Sequence, residues 1–244
     1  MKSIELLLGL AAISAVVGVG QAPRSAAGPK SIAAPNAWMK TPTDPSVPDG
    51  TPEAVRMQRD AVWDGLIGAR LPLTPENAWR SGISEGSSLG EPAEIMEVPN
   101  RAVLIGHFAS FRSILTSSGR AIYTEVTVQA SNVFEDISGR SRESGTATVI
   151  FPGGTVKTAD GQVMSFLTQP RTYFMQPGKT YLLVLAYHAD GDFYGFGKDW
   201  DVSDGTVRAD NGLDRRRERE GRSTLIGLST EQLIRLLSER FKGK

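Results

Sequence analysis

Apolar and polar residues alternate through the middle of the chain, beginning near Arg101. The alternation is regular from Ile122 to Ala130, which predicts a β-strand with one buried and one solvent-exposed face. Leu182–Ala186 is apolar on both faces, so we expect a central strand that is covered on both sides. In chain order the pattern predicts strands at Val103–Leu115, Ile122–Ala130, Thr146–Phe151, Gln162–Leu167, Tyr181–His188, Asp192–Phe196 and Thr206–Ala209.

Turn dipeptides separate these segments. Glycine adopts positive φ and proline fixes φ near the value that turns require, so each dipeptide predicts a reversal of the chain. They are Pro152-Gly153-Gly154, Asp160-Gly161, Pro177-Gly178, Asp190-Gly191 and Asp204-Gly205, after a first hairpin turn at Ser117–Arg120. Short strands at this spacing within about 110 residues favour a small antiparallel β-barrel or sandwich.

Helical periodicity precedes the strands. Thr51 and Pro52 form a typical helix start, and the helix is predicted to end near Gly68. Its predicted apolar stripe consists of Val55, Val62, Trp63, Leu66 and Ile67. Its predicted solvent face carries Arg56, Arg59, Asp60 and Asp64.

A second amphipathic helix is predicted at the end of the chain. Ser229 or Thr230 is the expected N-cap, and Glu231 lies in the first turn. The apolar stripe consists of Leu233, Ile234, Leu236, Leu237 and Phe241. The fold class is therefore mainly β, with a small antiparallel barrel, an N-terminal amphipathic helix and a C-terminal helix.

The N-terminus has the layout of a secretory signal peptide. An uncharged run from Leu6 to Gly20 follows Lys2, and small residues precede a predicted cleavage after Ala22. The segment that follows is rich in proline, so it is predicted to be an extended linker. Trp38 and Met39 interrupt it, and we expect this pair to dock loosely on the domain; the alternative is a short recognition motif. The predicted divisions are 1–22 signal peptide, 23–52 linker, 53–100 helix and loop, 101–212 barrel, and 213–244 charged linker and helix.

Composition narrows the functions that remain. The 27 basic and 27 acidic residues cancel, which disfavours a protein that binds nucleic acid through its overall charge. The chain has no cysteine, which excludes disulfides, iron–sulfur clusters and thiolate zinc sites. We expect an exported protein, periplasmic or extracellular, with no membrane span after signal cleavage and no cofactor.

Four stretches carry a resemblance: VLIGHF at 103–108, IYTEVTV at 122–128, VIFPGG at 149–154 and QPGKTYLLVL at 176–185. Over about 103–187 the chain resembles uncharacterised exported bacterial proteins with a β-barrel domain similar to OB-type folds. The resemblance is one of strands and turns. It implies a fold, and it assigns no functional residue.

Aromatic residues are concentrated between 173 and 200, and they give the candidate binding site. Phe193 and Tyr194 are neighbours on one predicted strand, so their rings must point to opposite faces. Either the rings fill the core and pair across strands, or they form a platform for a protein, peptide or glycan ligand. The candidate ligand-binding residues are Tyr187, Phe193, Tyr194, Trp200, Asp192 and Asp199.

Catalysis and metal binding are the alternatives to a ligand-binding site. His107 and His188 are the candidates for a general base or a ligand pair, but no nucleophile motif accompanies them, so no catalytic residue is assigned. Asp190, Asp192, Asp199 and Asp201 are candidates for the paired carboxylates of a hydrolase or, with Ser203 and Asp204, for calcium ligands. The predicted function is a non-catalytic exported binding module; the alternative is an extracytoplasmic hydrolase.

Overall fold

The computed structural model describes residues 37–43, 50–67, 100–166, 175–209 and 225–242. The predicted signal peptide, the first part of the proline-rich segment and the charged segment before the last helix lie outside these residues. The elements are α1 (Glu53–Ile67), β1 (Arg101–Leu115), β2 (Ile122–Asp136), α2 (Arg140–Ser144), β3 (Thr146–Pro152), β4 (Gly154–Lys157), β5 (Val163–Phe166), β6 (Thr180–His188), β7 (Phe193–Asp201), β8 (Arg208–Ala209) and α3 (Thr230–Arg240). The prediction of a mainly β protein is confirmed.

Six strands form one sheet in the order β3-β2-β1-β6-β7-β8. Neighbours in this order are antiparallel. β3 makes a further, parallel pairing with β7, in which Val149 is opposite Tyr194 and Ile150 is opposite Gly195. β4 and β5 form a separate antiparallel pair. As predicted, β6 lies between two other strands of the sheet.

Two strands are longer than their sequence pattern suggests. β2 continues past Ala130 to Asp136, and β7 continues past Phe196 to Asp201. Gly195 interrupts the pattern of β7 for a steric reason, because a Cβ at this position would lie 2.7 Å from Nε2 of His188. The glycine therefore permits close packing inside a strand.

The predicted turn at Pro152-Gly153-Gly154 is shorter than expected, because the chain enters β4 at Gly154. Gly154 has a φ of 145°, which favours glycine. A Cβ there would lie 2.3 Å from Oγ of Ser113 and 2.4 Å from Oγ1 of Thr124. These two hydroxyls hydrogen-bond each other at 2.9 Å. Glycine thus lets the chain pass over a buried polar pair.

The main core lies on one face of the sheet and includes Leu104, Phe108, Val126 and Leu183. Alternate residues of the same strands, such as Val103 and Leu182, point to the opposite face and contact α3. Burial of these two faces explains why β1 is apolar from Ala102 to Ile105 and why β6 is apolar from Leu182 to Ala186.

Trp38 and Met39 belong to the main core, although the sequence pattern predicted loose packing on the surface. The Trp38 ring lies 5.1 Å from the Phe108 ring and 5.0 Å from the Phe111 ring. Its indole Nε1 donates a hydrogen bond of 2.6 Å to the carbonyl of Met175. Trp38 and Met39 therefore anchor this part of the proline-rich segment in the fold.

The C-terminal helix follows its prediction except at Leu236, which the predicted apolar stripe included and which is 37% exposed. Ser229 is the N-cap of α3, and its side chain and that of Gln232 form a reciprocal capping box. Leu233, Leu237 and Phe241 are buried against the sheet. None of the helices in the described ranges is long and apolar enough to cross a membrane.

Candidate functional site

The predicted aromatic platform is not exposed at the protein surface, because three of its four aromatic residues are buried. Phe193 is 1% exposed, Tyr194 is 2% exposed and Trp200 is 4% exposed. Phe193 and Tyr194 do point to opposite faces, but each face is covered. Phe193 contacts Trp63 of α1, and Tyr194 belongs to the main core. The rings fill the core, which was the other interpretation of the sequence pattern.

Trp200 and Asp199 lie far from the remaining candidates. Trp200 packs beneath α3, with Nζ of Lys198 4.6 Å from the centre of its ring. The Asp199 side chain is fully buried. Both residues are near the last residue of β7, whereas Asp192 directly precedes its first residue. The distance between them along the strand is about 25 Å. The structure therefore separates them from any site at the β6–β7 turn.

Three of the predicted residues do come together at that turn. The Tyr187 hydroxyl donates a 2.8 Å hydrogen bond to Oδ1 of Asp192, and the rings of Tyr187 and Tyr194 lie 5.3 Å apart. Nε of Arg140 lies 3.3 Å from the same carboxylate oxygen. Asp192 is thus held by a phenol and a guanidinium.

The Tyr194 hydroxyl is part of a second buried carboxylate network. It donates a 2.9 Å hydrogen bond to Oδ2 of Asp136, and burial raises the pKa of Tyr194 to about 12. Although burial alone would raise the pKa of Asp136, hydrogen bonds from Ser141 and Ser138 lower it. This network fixes α2 against the sheet, so we assign it a structural role.

The histidines cannot form a ligand pair. His107 is opposite Thr180 at the start of β6, whereas His188 is the last residue of β6, about 26 Å away along the strand. The His188 ring stacks on Phe193 at 4.7 Å. Burial lowers the pKa of His188. Each histidine is therefore an isolated group.

The acidic residues considered for calcium or hydrolysis are also dispersed. Asp201 accepts a 2.5 Å hydrogen bond from Nζ of Lys179 and a 2.9 Å bond from the Ser203 backbone. It lies at the opposite end of β7 from Asp192. Within the described ranges, no three histidine or acidic side chains are close enough to hold a metal ion. The calcium arrangement that the sequence suggested is not formed by these residues.

A groove of about 380 Å³ lies between the start of α1 and the strands β1, β2 and β3. Of the six predicted ligand-binding residues, only Asp192 lines this groove. Tyr187 contributes indirectly, through its hydrogen bond to Asp192. The lining residues are Thr51, Pro52, Val55, Arg59, Ser110, Phe111, Arg112, Glu125, Thr127, Thr148 and Asp192.

The floor of the groove is a row of hydroxyl side chains on three neighbouring strands. Ser110 of β1 is opposite Thr127 of β2, which in turn is opposite Thr148 of β3. Directly opposite residues point to the same face with Cβ atoms about 5 Å apart. Ser110 is exposed, and the two threonines are half-buried. We call these three residues the hydroxyl row.

One wall of the groove is organised by Arg59 of α1. Its Nη1 lies 2.8 Å from Oε1 of Glu125 on β2. Its Nε and Nη2 each donate a 2.7 Å hydrogen bond to the β6–β7 turn, at the carbonyls of Gly191 and Asp192. Arg59 therefore ties α1, β2 and the turn together and sets the width of the groove.

The inner side of α1 includes charged residues that the sequence pattern assigned to solvent, in addition to the predicted apolar stripe. Besides Arg59, Asp60 is also buried; it accepts a 3.1 Å hydrogen bond from the Tyr123 hydroxyl and a 2.8 Å bond from the Ser117 backbone. Burial raises the pKa of Tyr123. The prediction was right that Val62 and Trp63 pack inward. It was wrong to place Arg59 and Asp60 in solvent, because the sheet surface under α1 carries polar groups that pair with them.

Neighbouring polar residues complete this contact. Arg56 donates 3.0 Å hydrogen bonds to the Tyr123 hydroxyl and to Glu125, and Asp64 accepts a 2.8 Å bond from the Thr116 hydroxyl. Trp63 from the predicted stripe is buried as well, on Tyr123 and Phe193. The side chains of Leu66 and Ile67 lie outside the described residues.

Sequence reasoning missed the groove because its parts are distant in the chain. The only signal available was the wet face of β2, where Glu125 and Thr127 alternate with valines. Strand register decides which residues of β1 and β3 stand beside them.

Comparison with known proteins adds no assignment. No protein-family model, no curated protein and no solved structure matches this chain. The resemblance to exported OB-like proteins stays a prediction.

Proposed function

We propose that this chain is an exported, non-catalytic binding module with an OB-like β-barrel, and that the groove beside α1 is its ligand site. The observation that carries the proposal is the groove itself. Its volume of about 380 Å³ falls within the range of small-molecule sites, and polar side chains from one helix, three strands and one turn converge on it.

The OB-like barrel is supported by strand order. Strands β1, β2 and β3 form a meander, and β6 and β7 follow on the other side of β1. The parallel contact between β3 and β7 joins strands that are otherwise separated in the sheet. A five-stranded Greek-key barrel is expected to close in this way, and such barrels bind ligands on one sheet face and its adjoining loops.

The hydrolase alternative has weaker support. A glycosidase-type pair needs two carboxylates about 5 to 9.5 Å apart. Asp192 and Asp201 lie at opposite ends of β7, and Asp201 is engaged by Lys179. The binding function needs no such pair.

Nuclear magnetic resonance can test the groove without knowledge of the natural ligand. We expect a library of small polar fragments to shift the backbone amide signals of Ser110, Thr127 and Thr148. A Thr127→Arg variant fills the groove and should lose these shifts, whereas Ser238→Ala on the exposed face of α3 should keep them. Shifts that are absent, or that map elsewhere on the protein, would contradict the proposed site.

Export is tested separately. We expect the natural protein to be recovered from the periplasm or the medium with Pro23 as its first residue. Cell fractionation followed by N-terminal sequencing gives the result. Full-length protein in the cytoplasm would contradict export while leaving the groove unaffected.

A further inference from the structure

We propose that the groove recognises an uncharged carbohydrate; this inference rests on the proposed function of the groove as a binding site. The argument begins with the hydroxyl row. Within the part of the chain that the structure describes, the side-chain oxygens of Ser110, Thr127 and Thr148 make no hydrogen bond to other protein groups. Each hydroxyl can donate one hydrogen bond and accept two.

A ligand that matches this row carries several hydroxyls of its own. The spacing of about 5 Å between neighbouring side chains is fixed by the strand pairing, so the row is a rigid set of donors and acceptors. Sugar rings present hydroxyls that both donate and accept at regular intervals. A rigid row also orders few side chains on binding, which lowers the entropic cost of association.

Three of the four charged residues that line the groove, Arg59, Glu125 and Asp192, are engaged in ion pairs. Glu125 accepts hydrogen bonds from Arg56 and Arg59, and Asp192 is held by Arg140 and Tyr187. The charged residues of the lining, two arginines, one glutamate and one aspartate, sum to zero. A lining without net charge, whose two carboxylates are already paired with arginines, favours a neutral ligand.

Peptide recognition is disfavoured by the same geometry. β-strand addition needs an open sheet edge, but Thr127 in the middle of the floor is on β2, which pairs with β1 on one side and with β3 on the other at this position. An amphipathic helix needs an apolar groove, and a phosphopeptide needs uncompensated arginines. The floor of the groove is neither apolar nor lined by uncompensated arginines.

Apolar contact comes from one side of the groove. Pro52, Val55 and Phe111 line it beside the hydroxyl row. Phe111 is held in place by Trp38, whose ring lies 5.0 Å away. A carbohydrate is amphipathic, and its C–H faces suit these residues while its hydroxyls face the row.

A glycan array that displays neutral and acidic oligosaccharides tests the inference on the purified protein. We expect binding to neutral members only. The soluble form of the strongest neutral member is then titrated by calorimetry against two double variants. Thr127→Val with Thr148→Val removes both hydroxyls and keeps the β-branched shape, so affinity should fall about tenfold or more.

Thr127→Ser with Thr148→Ser keeps both hydroxyls, and we expect it to retain affinity within about threefold of wild type. Thr146→Val, on β3 but outside the groove lining, is the matched control and should bind as wild type does. Equal affinity of the valine and serine double variants would overturn the inference. Binding to acidic glycans only, or to none while polar fragments still shift the groove signals, would overturn it and leave the binding site standing.

Discussion

Helices α1 and α3 both pack against this β-sheet, and they bury opposite kinds of side chain. α3 contacts the sheet through Leu233, Leu237 and Phe241. α1 presents four charged residues to the sheet, and Trp63 is the main apolar group that it buries there. A hydrophobic stripe therefore identifies most of the buried face of α3, whereas on α1 it identifies only part of the buried face and misses the charged residues that pack beside Trp63.

The difference between the two helix interfaces indicates which side of this fold is suited to a binding site. An apolar interface is held by buried area and is indifferent to the direction of individual groups. A polar interface requires a partner for every buried charge, so it fixes distances between named atoms. The groove lies beside the polar interface, where Arg59 holds the helix, the floor and the β6–β7 turn in one geometry.

The largest expected effect comes from breaking the α1 interface at its centre. Glu125→Ala leaves Arg59 buried without its carboxylate, and the loss of one partner of a buried pair costs about 3–5 kcal/mol. Urea denaturation measures the change. Arg120→Ala, an exposed arginine on the β1–β2 turn, serves as the control and should be nearly neutral. A loss below about 1 kcal/mol for Glu125→Ala would mean that α1 does not depend on this pair.

On the apolar side, Leu237→Ala opens a cavity under α3. Leu237 is fully buried, so we expect a loss of about 2–5 kcal/mol in the free energy of unfolding. Leu236 lies beside it on the helix and is 37% exposed, so Leu236→Ala should cost much less. Similar losses for the two variants would contradict the orientation of α3.

Alkaline pH should weaken the α1 interface. Because burial raises the pKa of Tyr123, the folded state favours the neutral phenol. This contribution is complete below about pH 10, the unfolded pKa, and is lost as the pH rises above it.

Tyr123→Phe tests this pH dependence. The variant should lose about 1–3 kcal/mol at pH 7, through the missing hydrogen bonds to Arg56 and Asp60, and it should decline less steeply above pH 10. Thermal unfolding between pH 7 and 11 follows both effects. A parallel decline of variant and wild type would remove Tyr123 as the cause.

The smallest expected effect concerns the start of α3. Ser229→Ala removes the side-chain acceptor of the capping box, which costs about 1 kcal/mol. Ser229→Asp keeps an acceptor and should lose little. Circular dichroism during thermal unfolding compares the two, and equal losses would show that the cap does not stabilise the helix.

The strands were predictable because their signal is local. β2 alternates because one of its faces is covered, and β6 is apolar on both faces because both are covered. The capping box of α3 lies within four residues of the chain. The strands that ran longer than predicted continue through glycines or past bulges, where the alternation is interrupted.

The candidate site was much less predictable. The aromatic residues of β7 were visible in the sequence, but their burial depends on α1 and α3, which are distant in the chain. The hydroxyl row consists of unremarkable residues, Ser110, Thr127 and Thr148, which only strand register brings together. The amino-acid composition does not predict such a row, because serine and threonine are common on any solvent-exposed strand face.

The sequence by itself determined a mainly β chain without cysteine, the positions of most strands and the buried stripe of the last helix. Each of these follows from the periodicity of neighbouring residues or from a simple count. The tertiary structure alone decided that Trp38 enters the core, that α1 turns its charges inward, and that a groove forms over three strands. The physical reason is that a buried charge or ring is stabilised by its partners, and those partners lie far away in the sequence.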